Sequence, residues 1–258
     1  MNDGEVRLVC DGGIARVVFD RPDARNAMTW RMYEQLGAIC ARIRSDGTLR
    51  VAVLRGAGGK AFVAGTDIAQ FLEFKSGDDG IAYEQRMEDY LGALESLPIP
   101  TLAVIEGWAI GGGLAIAAAC DLRIATPGSR FGVPIARTLG NCLSVANTAR
   151  LVAALGASRA KRVLLLAEMI TAEEAAGGGF LVDIVEAAEI DSRVAELCER
   201  LIRNAPVTMR VSKEAIRRLL HAGLPGDDDL VRAAYGSEDF HRGVRAFVDK
   251  REPQWTGR

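Results

Sequence analysis

A run of three glycines, Gly111 to Gly113, is the part of the sequence with the clearest chemical meaning. It follows the apolar stretch Thr101 to Ile105 and precedes an apolar segment ending at Asp121. This order predicts a strand, a glycine turn and a buried helix. Glycines let a backbone approach a ligand closely, and the free N–H groups at a helix N-terminus stabilise negative charge on an oxygen. The alternative is a tight turn that serves only helix-strand packing.

A second small-residue segment, Phe62 to Asp67, follows another predicted strand, Val51 to Leu54. A nucleotide-binding P-loop is the main rival explanation for such loops, but Gly56 to Ala61 lacks the required spacing and the Ser or Thr that would hold magnesium. The triple glycine is not followed by a lysine, and no Gly-x-Gly-x-x-Gly fingerprint follows a strand. The two loops therefore favour anion stabilisation outside the common nucleotide motifs.

The elements that must position these loops alternate between strand and helix. Asp11-Gly12-Gly13 between two apolar runs predicts an N-terminal hairpin, and Thr29 is placed to cap the next helix. Further predicted elements are a helix at Ile81 to Leu94 and a strand at Leu122 to Ala125. This alternation predicts an α/β fold with βαβ units and a mainly parallel sheet.

The C-terminal third of the sequence is predicted to be mostly helical. Helical patterns occur at Val145 to Leu155 and Arg159 to Ala167, one strand is predicted at Leu181 to Val185, and helices continue to Lys250. The expected organisation is a core over residues 1–200 and a helical region over residues 201–258, without an intervening linker. That helical region could cover a partner as readily as its own sheet.

Composition excludes several classes of protein. The 258 residues are 49% hydrophobic and 26% charged, with a formal net charge of -2, so no overall charge attracts nucleic acid or an anionic membrane. The five cysteines are scattered without a Cys-x-x-Cys pair, so neither a disulfide framework nor a zinc site is expected. The longest apolar run, Ala109 to Cys120, is shorter than the roughly 20 residues of a membrane span. We expect a cytoplasmic protein without a signal peptide.

Several segments together resemble the enoyl-CoA hydratase/isomerase (crotonase) family. They occur in the order of that family and cover nearly the whole chain: Arg21-Pro22 with Asn26 to Thr29, Gly58 to Asp67, Gly107 to Gly113, Cys120 to Ala125, Arg130 to Pro134, and Ser237 to Gly243 with Phe247, Lys250 and Arg251. The resemblance implies a crotonase-like spiral of ββα units with a C-terminal helical trimerisation layer, in a homotrimer or a dimer of trimers.

The resemblance also implies a substrate and a site. The substrate would be an acyl-CoA thioester, as in fatty acid metabolism, with coenzyme A as part of the substrate and no separate cofactor or metal. The backbone N–H groups of Ala64 and Gly112 would form an oxyanion hole for the thioester oxygen. The CoA pocket would be lined by Ala24, Arg25, Ala64, Gly65, Thr66 and Asp67, with Phe247 and Lys250 approaching from the C-terminal layer, of the same or a neighbouring subunit.

The sequence departs from the family pattern at both catalytic glutamates of the hydratases, since Ala115 and Ile135 occupy those positions. General acid-base catalysis contributes about 100- to 10,000-fold, so plain hydration is in question. Asp67 and Arg137 are the replacement candidates, with Arg137 restricted to binding an anion because guanidinium stays protonated. Other candidates near the second position are Thr138, Asn141, Cys142 and Ser144, and Glu73, Glu84 and Glu88 follow Asp67.

Three function hypotheses remain open from the sequence. The first is an acyl-CoA lyase or isomerase that acts through an enolate by double-bond shift, decarboxylation or elimination. The second is a non-catalytic acyl-CoA-binding protein, suggested by the same losses at Ala115 and Ile135. The third is an unrelated glycine-rich α/β enzyme.

Overall fold

The computed structural model describes residues 3–258, which form two sheets surrounded by helices. The strands, in chain order, are β1 (Glu5–Asp11), β2 (Ile14–Asp20), β3 (Val51–Gly56), β4 (Ala61–Val63), β5 (Thr101–Ile105), β6 (Trp108–Ile110), β7 (Leu122–Ala125), β8 (Arg130–Gly132), β9 (Met169–Thr171) and β10 (Asp183–Ile184). The predicted strands that became β5 and β7 have the observed bounds, and the N-terminal hairpin is confirmed as the antiparallel pair β1 and β2.

The helices connect and cover these strands. They are α1 (Trp30–Ser45), α2 (Gly77–Glu95), α3 (Gly112–Ala119), α4 (Ile135–Thr138), α5 (Val145–Leu155), α6 (Ala157–Leu165), α7 (Ala172–Gly177), α8 (Ile190–Arg203), α9 (Pro206–His221), α10 (Asp228–Tyr235) and α11 (Glu238–Val248), with short 3-10 helices at Pro22–Ala24 and Ile68–Glu73. The Thr29 hydroxyl accepts a hydrogen bond from the Met32 N–H, which confirms the predicted cap of α1.

The larger sheet has six strands in the order β1-β2-β3-β5-β7-β10, and all pairs after the hairpin are parallel. This confirms the mainly parallel sheet. All five residues of β5 are buried, because helices cover both faces of a parallel sheet. The carboxyl end of β5 leads directly into the region of the triple glycine.

The smaller sheet, in the order β4-β6-β8-β9, was not expected from the sequence. The prediction of a glycine turn directly after β5 was wrong in detail, because β6 intervenes. The prediction for the C-terminal third also did not include β9. The strand expected at Leu181 to Val185 is shorter, because β10 has only two residues. These strands are two or three residues long, which is too short to show a period-2 pattern. The smaller sheet nevertheless carries both glycine-rich loops.

The C-terminal helices have different packing. Helix α8 buries Ile190, Val194 and Leu197 against the larger sheet, and α10 with α11 forms a second apolar cluster with Phe71. Helix α9 has no buried residue. No helix within residues 3–258 is both long and apolar enough to cross a bilayer, and those residues contain no metal-binding group of three His, Cys, Asp or Glu side chains.

Candidate functional site

The three glycines after β6 have three different structural roles. Gly111 has φ 53° and ψ -119°, a conformation that side chains disfavour and glycine adopts readily. Gly112 is the first residue of α3, so its N–H has no partner within the helix. A Cβ on Gly113 would overlap the Val63 carbonyl oxygen, so only glycine lets α3 approach β4 this closely. The turn therefore presents the Gly112 N–H beside β4.

The loop after β4 supplies a second N–H group, at Thr66 and not at the predicted Ala64. The Ala64 N–H donates to the Arg25 carbonyl oxygen at 3.0 Å, so this donor is already used within the protein. The Asp67 N–H donates to the Met28 carbonyl oxygen at 2.8 Å. Between them, the Thr66 N–H has no acceptor within the described part of the chain. The free N–H groups of the two loops are therefore those of Thr66 and Gly112, and the Ala64 N–H is not free as the prediction required.

Thr66 and Gly112 lie side by side. A Cβ built on Gly112 would be 3.2 Å from Thr66 Oγ1 and would overlap the Tyr33 hydroxyl. The Thr66 hydroxyl is 2.8 Å from that of Tyr33 and 3.5 Å from that of Tyr83. Burial raises the pKa of Tyr33 to about 12, so its hydroxyl stays protonated. These hydroxyls fix the loop that carries the free Thr66 N–H.

Thr66 and Gly112 both line a mostly apolar cavity. Its lining residues are Ala64, Gly65, Thr66, Ile68, Phe71, Tyr83, Glu84, Ile110, Gly111, Gly112, Val133, Pro134, Ile135, Thr138, Leu139, Asn141, Leu143 and Phe247. An apolar wall with a few convergent polar groups is typical of small-molecule sites. The cavity can hold a hydrocarbon chain while two backbone donors bind an oxygen at its edge.

Glu84, on α2, is the carboxyl group of this cavity, and its side chain is nearly fully buried. Its Oε1 accepts a hydrogen bond from the Tyr235 hydroxyl at 2.7 Å, and its Oε2 accepts one from the Ser144 N–H at 3.0 Å. Burial raises the pKa of Glu84 to about 7, although the hydrogen bonds from Tyr235 and Ser144 partly oppose that rise. Glu84 can therefore hold or release a proton near neutral pH.

This raised pKa predicts a pH-dependent stability. The pKa of Glu84 is 4.5 in the unfolded chain and about 7 in the folded chain. At pH values between these two, only the folded state holds the Glu84 proton, so this contribution to the free energy of unfolding is lost as pH rises. We expect the wild-type protein to lose about 2 to 3 kcal/mol relative to Glu84→Gln between about pH 5 and about pH 8, at about 1.4 kcal/mol per pKa unit. Urea denaturation at both pH values measures this difference. A difference that does not change with pH would contradict it.

The positions of the two missing glutamates differ in their surroundings. Ile135 lines the cavity, whereas Ala115 lies on α3 with 6% exposure, in the main apolar core and outside the set of lining residues. Both side chains are hydrocarbon. Neither position can transfer a proton.

The two predicted replacements, Asp67 and Arg137, do not line the cavity. An Asp67 carboxylate oxygen is 2.9 Å from the Arg21 guanidinium, and the other caps the 3-10 helix through the Ala69 N–H. Arg137 is exposed on α4. Asp67 therefore supports the loop and Arg137 is exposed, so neither side chain lies in the cavity where the sequence placed it. Thr138 and Asn141, also considered from the sequence, do line the cavity.

Some of the predicted CoA-pocket residues line the cavity and others do not. Gly65, Thr66 and Phe247 line it, and Phe247 does so from α11 of the same chain. Ala24 ends the first 3-10 helix and is partly exposed. The side chains of Arg25 and Lys250 are exposed, and both residues have a positive φ, 51° and 55°. The two cations are thus available to a polyanionic ligand.

Sequence reasoning missed Tyr33, Tyr83 and Tyr235 and included Glu84 only as one of three glutamates. No local signal identifies Tyr235, because the hydroxyl and the Glu84 carboxyl it contacts are 151 residues apart. Tyr235 lies in the last third of the chain, where only a helical layer was expected, so no sequence pattern placed it near the glycine-rich loops.

Comparison with known proteins gives a consistent result. A model of the enoyl-CoA hydratase/isomerase family matches residues 10–258. The short-chain-enoyl-CoA hydratase of Clostridium acetobutylicum is 32% identical over 98% of this chain and 97% of the relative. Among solved structures, an enoyl-CoA hydratase/carnitine racemase from Magnetospirillum magneticum has 31% identity and a TM-score of 0.80, covering 100% of this chain and 97% of that one. A methylmalonyl-CoA decarboxylase in complex with 2-nitronate-propionyl-CoA has 27% identity and a TM-score of 0.89, with 98% of each chain covered.

Proposed function

Because this chain belongs to the enoyl-CoA hydratase/isomerase family, we propose that it is an acyl-CoA-processing lyase or isomerase that stabilises a thioester enolate. The family binds acyl-CoA substrates, and solved relatives include complexes with CoA analogues. The observation that carries the proposal is the pair of free N–H groups of Thr66 and Gly112 beside an apolar cavity. The thioester oxygen accepts both hydrogen bonds, and the acyl chain occupies the cavity.

The N–H pair supplies electrostatic catalysis. When a proton or a carboxyl group leaves the carbon next to the thioester, negative charge develops on the thioester oxygen. The two N–H groups and the N-terminus of α3 would stabilise that charge with little reorganisation, because the backbone holds them in place. One such donor typically contributes about 3 to 4 kcal/mol to lowering the barrier.

The CoA portion is proposed to cross the mouth of the cavity. Arg25 and Lys250 would bind its phosphates, because guanidinium and ammonium groups pair with phosphate oxygens. Ala24 and Phe247 would pack against the nucleotide and the pantetheine arm. Phe247 is 49% exposed although it lines the cavity, which leaves it accessible to a ligand.

Hydrocarbon at Ala115 and Ile135 favours double-bond shift, decarboxylation or elimination over plain hydration. Hydration needs a positioned water and groups that move its protons, and these two side chains provide none. The test is hydration of crotonyl-CoA, followed as loss of the enoyl-thioester absorbance, with thioester binding measured by calorimetry. We expect binding and a hydration rate at least about 100-fold below that of the Clostridium acetobutylicum hydratase. Comparable rates for the two proteins would contradict the proposed reaction class.

An Ala115→Glu/Ile135→Glu double variant serves as a gain-of-function comparison. Ile135 lines the cavity, so its replacement can reach a ligand. Ala115 is buried in the core, so circular dichroism must first establish that the variant folds. New hydration activity would identify the two positions as those of the absent acid-base pair.

A non-catalytic acyl-CoA-binding protein is the second candidate, favoured by the same two hydrocarbon side chains. It would bind acyl-CoA thioesters with the same N–H pair and release them unchanged. This candidate would be supported if thioesters from a broad panel bind tightly and none of them shows turnover or exchange of the proton at C2. Turnover of any one of them would exclude it.

We also propose that the chain forms a homotrimer or a dimer of trimers through α9. This helix buries none of its residues in one chain, and Val207, Val211, Ile216 and Leu219 are between 58% and 79% exposed. Large apolar side chains that are this exposed on a helix favour contact with another chain. Light scattering should give a threefold or sixfold mass that Val211→Glu/Leu219→Glu reduces to that of one chain. An unaltered mass in this variant would exclude α9 from the interface.

A further inference from the structure

Glu84 is the one residue with an ionisable carboxyl, amine, imidazole or guanidinium group among the described residues that line the cavity. On the side of this cavity, its 5% exposed side chain faces hydrocarbon and neutral hydrogen-bonding groups. Enolate formation by loss of a proton from C2, next to the Thr66 and Gly112 N–H groups, requires a group that accepts this proton. In this cavity, that group has to be Glu84 or a molecule that enters with the substrate.

Two neutral donors hold the Glu84 carboxylate, and they leave acceptor positions on it at which a proton can bind. The Tyr235 hydroxyl donates to one of its carboxyl oxygens and the Ser144 N–H donates to the other. A carboxylate has about four acceptor positions, so these two bonds leave others free. The Tyr235 oxygen in turn accepts a hydrogen bond from Asn141 Nδ2 at 3.1 Å. The bonds run in one direction from Asn141 through Tyr235 to the carboxylate, which fixes the carboxylate and lowers its basicity only in part, because burial raises the pKa by more.

Asn141 adds an independent sign of a ligand. Its Oδ1 is buried and has no hydrogen-bond partner within residues 3–258, and the residue lines the same cavity as Glu84. Buried acceptors are rarely left without a donor. A donor group on the acyl portion of a substrate, or a water bound with it, would satisfy this oxygen. The cluster of Glu84, Tyr235 and Asn141 therefore has the character of a ligand-contacting site.

Glu84 also lines a second cavity, between α2 and the segment before α10. That cavity includes Glu88, Asp227 and Asp228, and the described residues lining either cavity include no Lys, Arg or His. The titratable groups that face Glu84 are Tyr83 and Glu88 on α2, Tyr33 on α1, Cys142 before α5, and Asp227, Asp228 and Tyr235 at α10. A carboxyl shared by two cavities can take a proton from the substrate and exchange it with solvent on the other side.

We propose that Glu84 is the catalytic proton-transfer residue of this site, an inference that rests on the proposed function. The Glu84 carboxylate removes a proton from C2 of the acyl-CoA, and the C–H electron pair becomes a C1=C2 double bond. The carbonyl π pair moves to the thioester oxygen, where the Thr66 and Gly112 N–H groups hold it. The protonated Glu84 then returns its proton to C2, or to C4 of a 3-enoyl thioester, which yields the 2-enoyl isomer. No oxidant, water or metal is consumed.

The protonation behaviour of Glu84 suits this role. Burial raises the pKa of its carboxyl to about 7, and a general base works best when its pKa is close to the operating pH. Burial also raises the pKa of Tyr83 and Tyr235 well above the usual value, so those hydroxyls stay donors. Cys142 has a pKa raised to about 12 by burial, which excludes it as a competing base.

The test is deuterium exchange at C2 of 3-butenoyl-CoA in D₂O, measured by mass spectrometry, because exchange requires the base and the N–H pair and no particular product. We expect Glu84→Gln to reduce exchange at least 100-fold while calorimetry still detects binding of butyryl-CoA. Glu73→Gln, which replaces an exposed glutamate outside the cavity lining, should leave exchange unchanged. Exchange in Glu84→Gln within threefold of wild type would overturn the assignment and leave the proposed function intact.

Tyr235→Phe keeps the test decisive if Glu84→Gln does not fold. The Tyr235 hydrogen bond lowers the pKa of Glu84, so its loss should move the midpoint of the exchange-versus-pH curve above the wild-type value near 7. An unchanged midpoint would overturn the inference, because a merely structural tyrosine would alter the amount of folded protein and not this midpoint. Wild-type protein that binds butyryl-CoA but exchanges no thioester would also overturn it. Wild-type protein that binds no thioester would remove the proposed function itself.

Discussion

Gly112→Pro should lower acyl-CoA turnover about 100- to 1000-fold relative to Gly112→Ala, which is the usual cost of losing one oxyanion donor. Proline lacks the N–H that Gly112 presents to the cavity, and its ring conformation suits the first position of a helix such as α3. The fold should therefore tolerate the substitution better than the chemistry does. The rate of C2 deuterium exchange, or of turnover of any thioester that proves to be a substrate, measures the effect.

Gly112→Ala is the matched control because it introduces the same Cβ and keeps the N–H. That Cβ would overlap the Tyr33 hydroxyl and lie 3.2 Å from Thr66 Oγ1, so both variants disturb the neighbouring hydroxyls to a similar degree. The difference between them then reports the replacement of the N–H hydrogen by the proline ring carbon. Equal rates for the proline and alanine variants would exclude Gly112 as an oxyanion donor, and the cavity would need another source of charge stabilisation.

The sequence was sufficient to predict the elements that carry a strong periodic or turn signal. The apolar run Thr101–Ile105 became β5 without a change of bounds, and Thr29 caps α1 as its position before the helical pattern indicated. Short strands such as β6 and β8 have three residues each, so no pattern distinguishes them from a loop. They form because a neighbouring strand pairs with them, and such pairing is a property of the tertiary structure.

The site was predictable as a pair of glycine-rich loops but not at the level of single donors. Ala64 and Thr66 are equally plausible from their residue types, since every residue except proline has an N–H. The choice depends on the Arg25 carbonyl, which reaches the Ala64 N–H from a distant loop and leaves that of Thr66 free. The environment of Glu84 is another example, because its raised pKa depends on burial by elements far along the chain.

Helix α2 must hold Glu84 in the cavity, and a buried ion network anchors that helix. The Arg150 guanidinium on α5 is 1% exposed and contacts both carboxylate oxygens of Glu88, at 2.5 and 2.6 Å. It also donates two hydrogen bonds to Glu95, at 2.9 and 3.0 Å. Glu88 lies one helical turn after Glu84, so this network fixes the part of α2 that presents Glu84 to the cavity.

Arg150→Met should lower the free energy of unfolding by about 3 to 5 kcal/mol, because it leaves partly buried carboxylates without their cation. Urea denaturation near pH 7 measures the loss. The control is Arg203→Met, which breaks the exposed pair with Glu199 and should change stability by less than about 1 kcal/mol. A loss as small as that in the control would show that α2 is held by its apolar face alone. The network would then have no part in positioning Glu84.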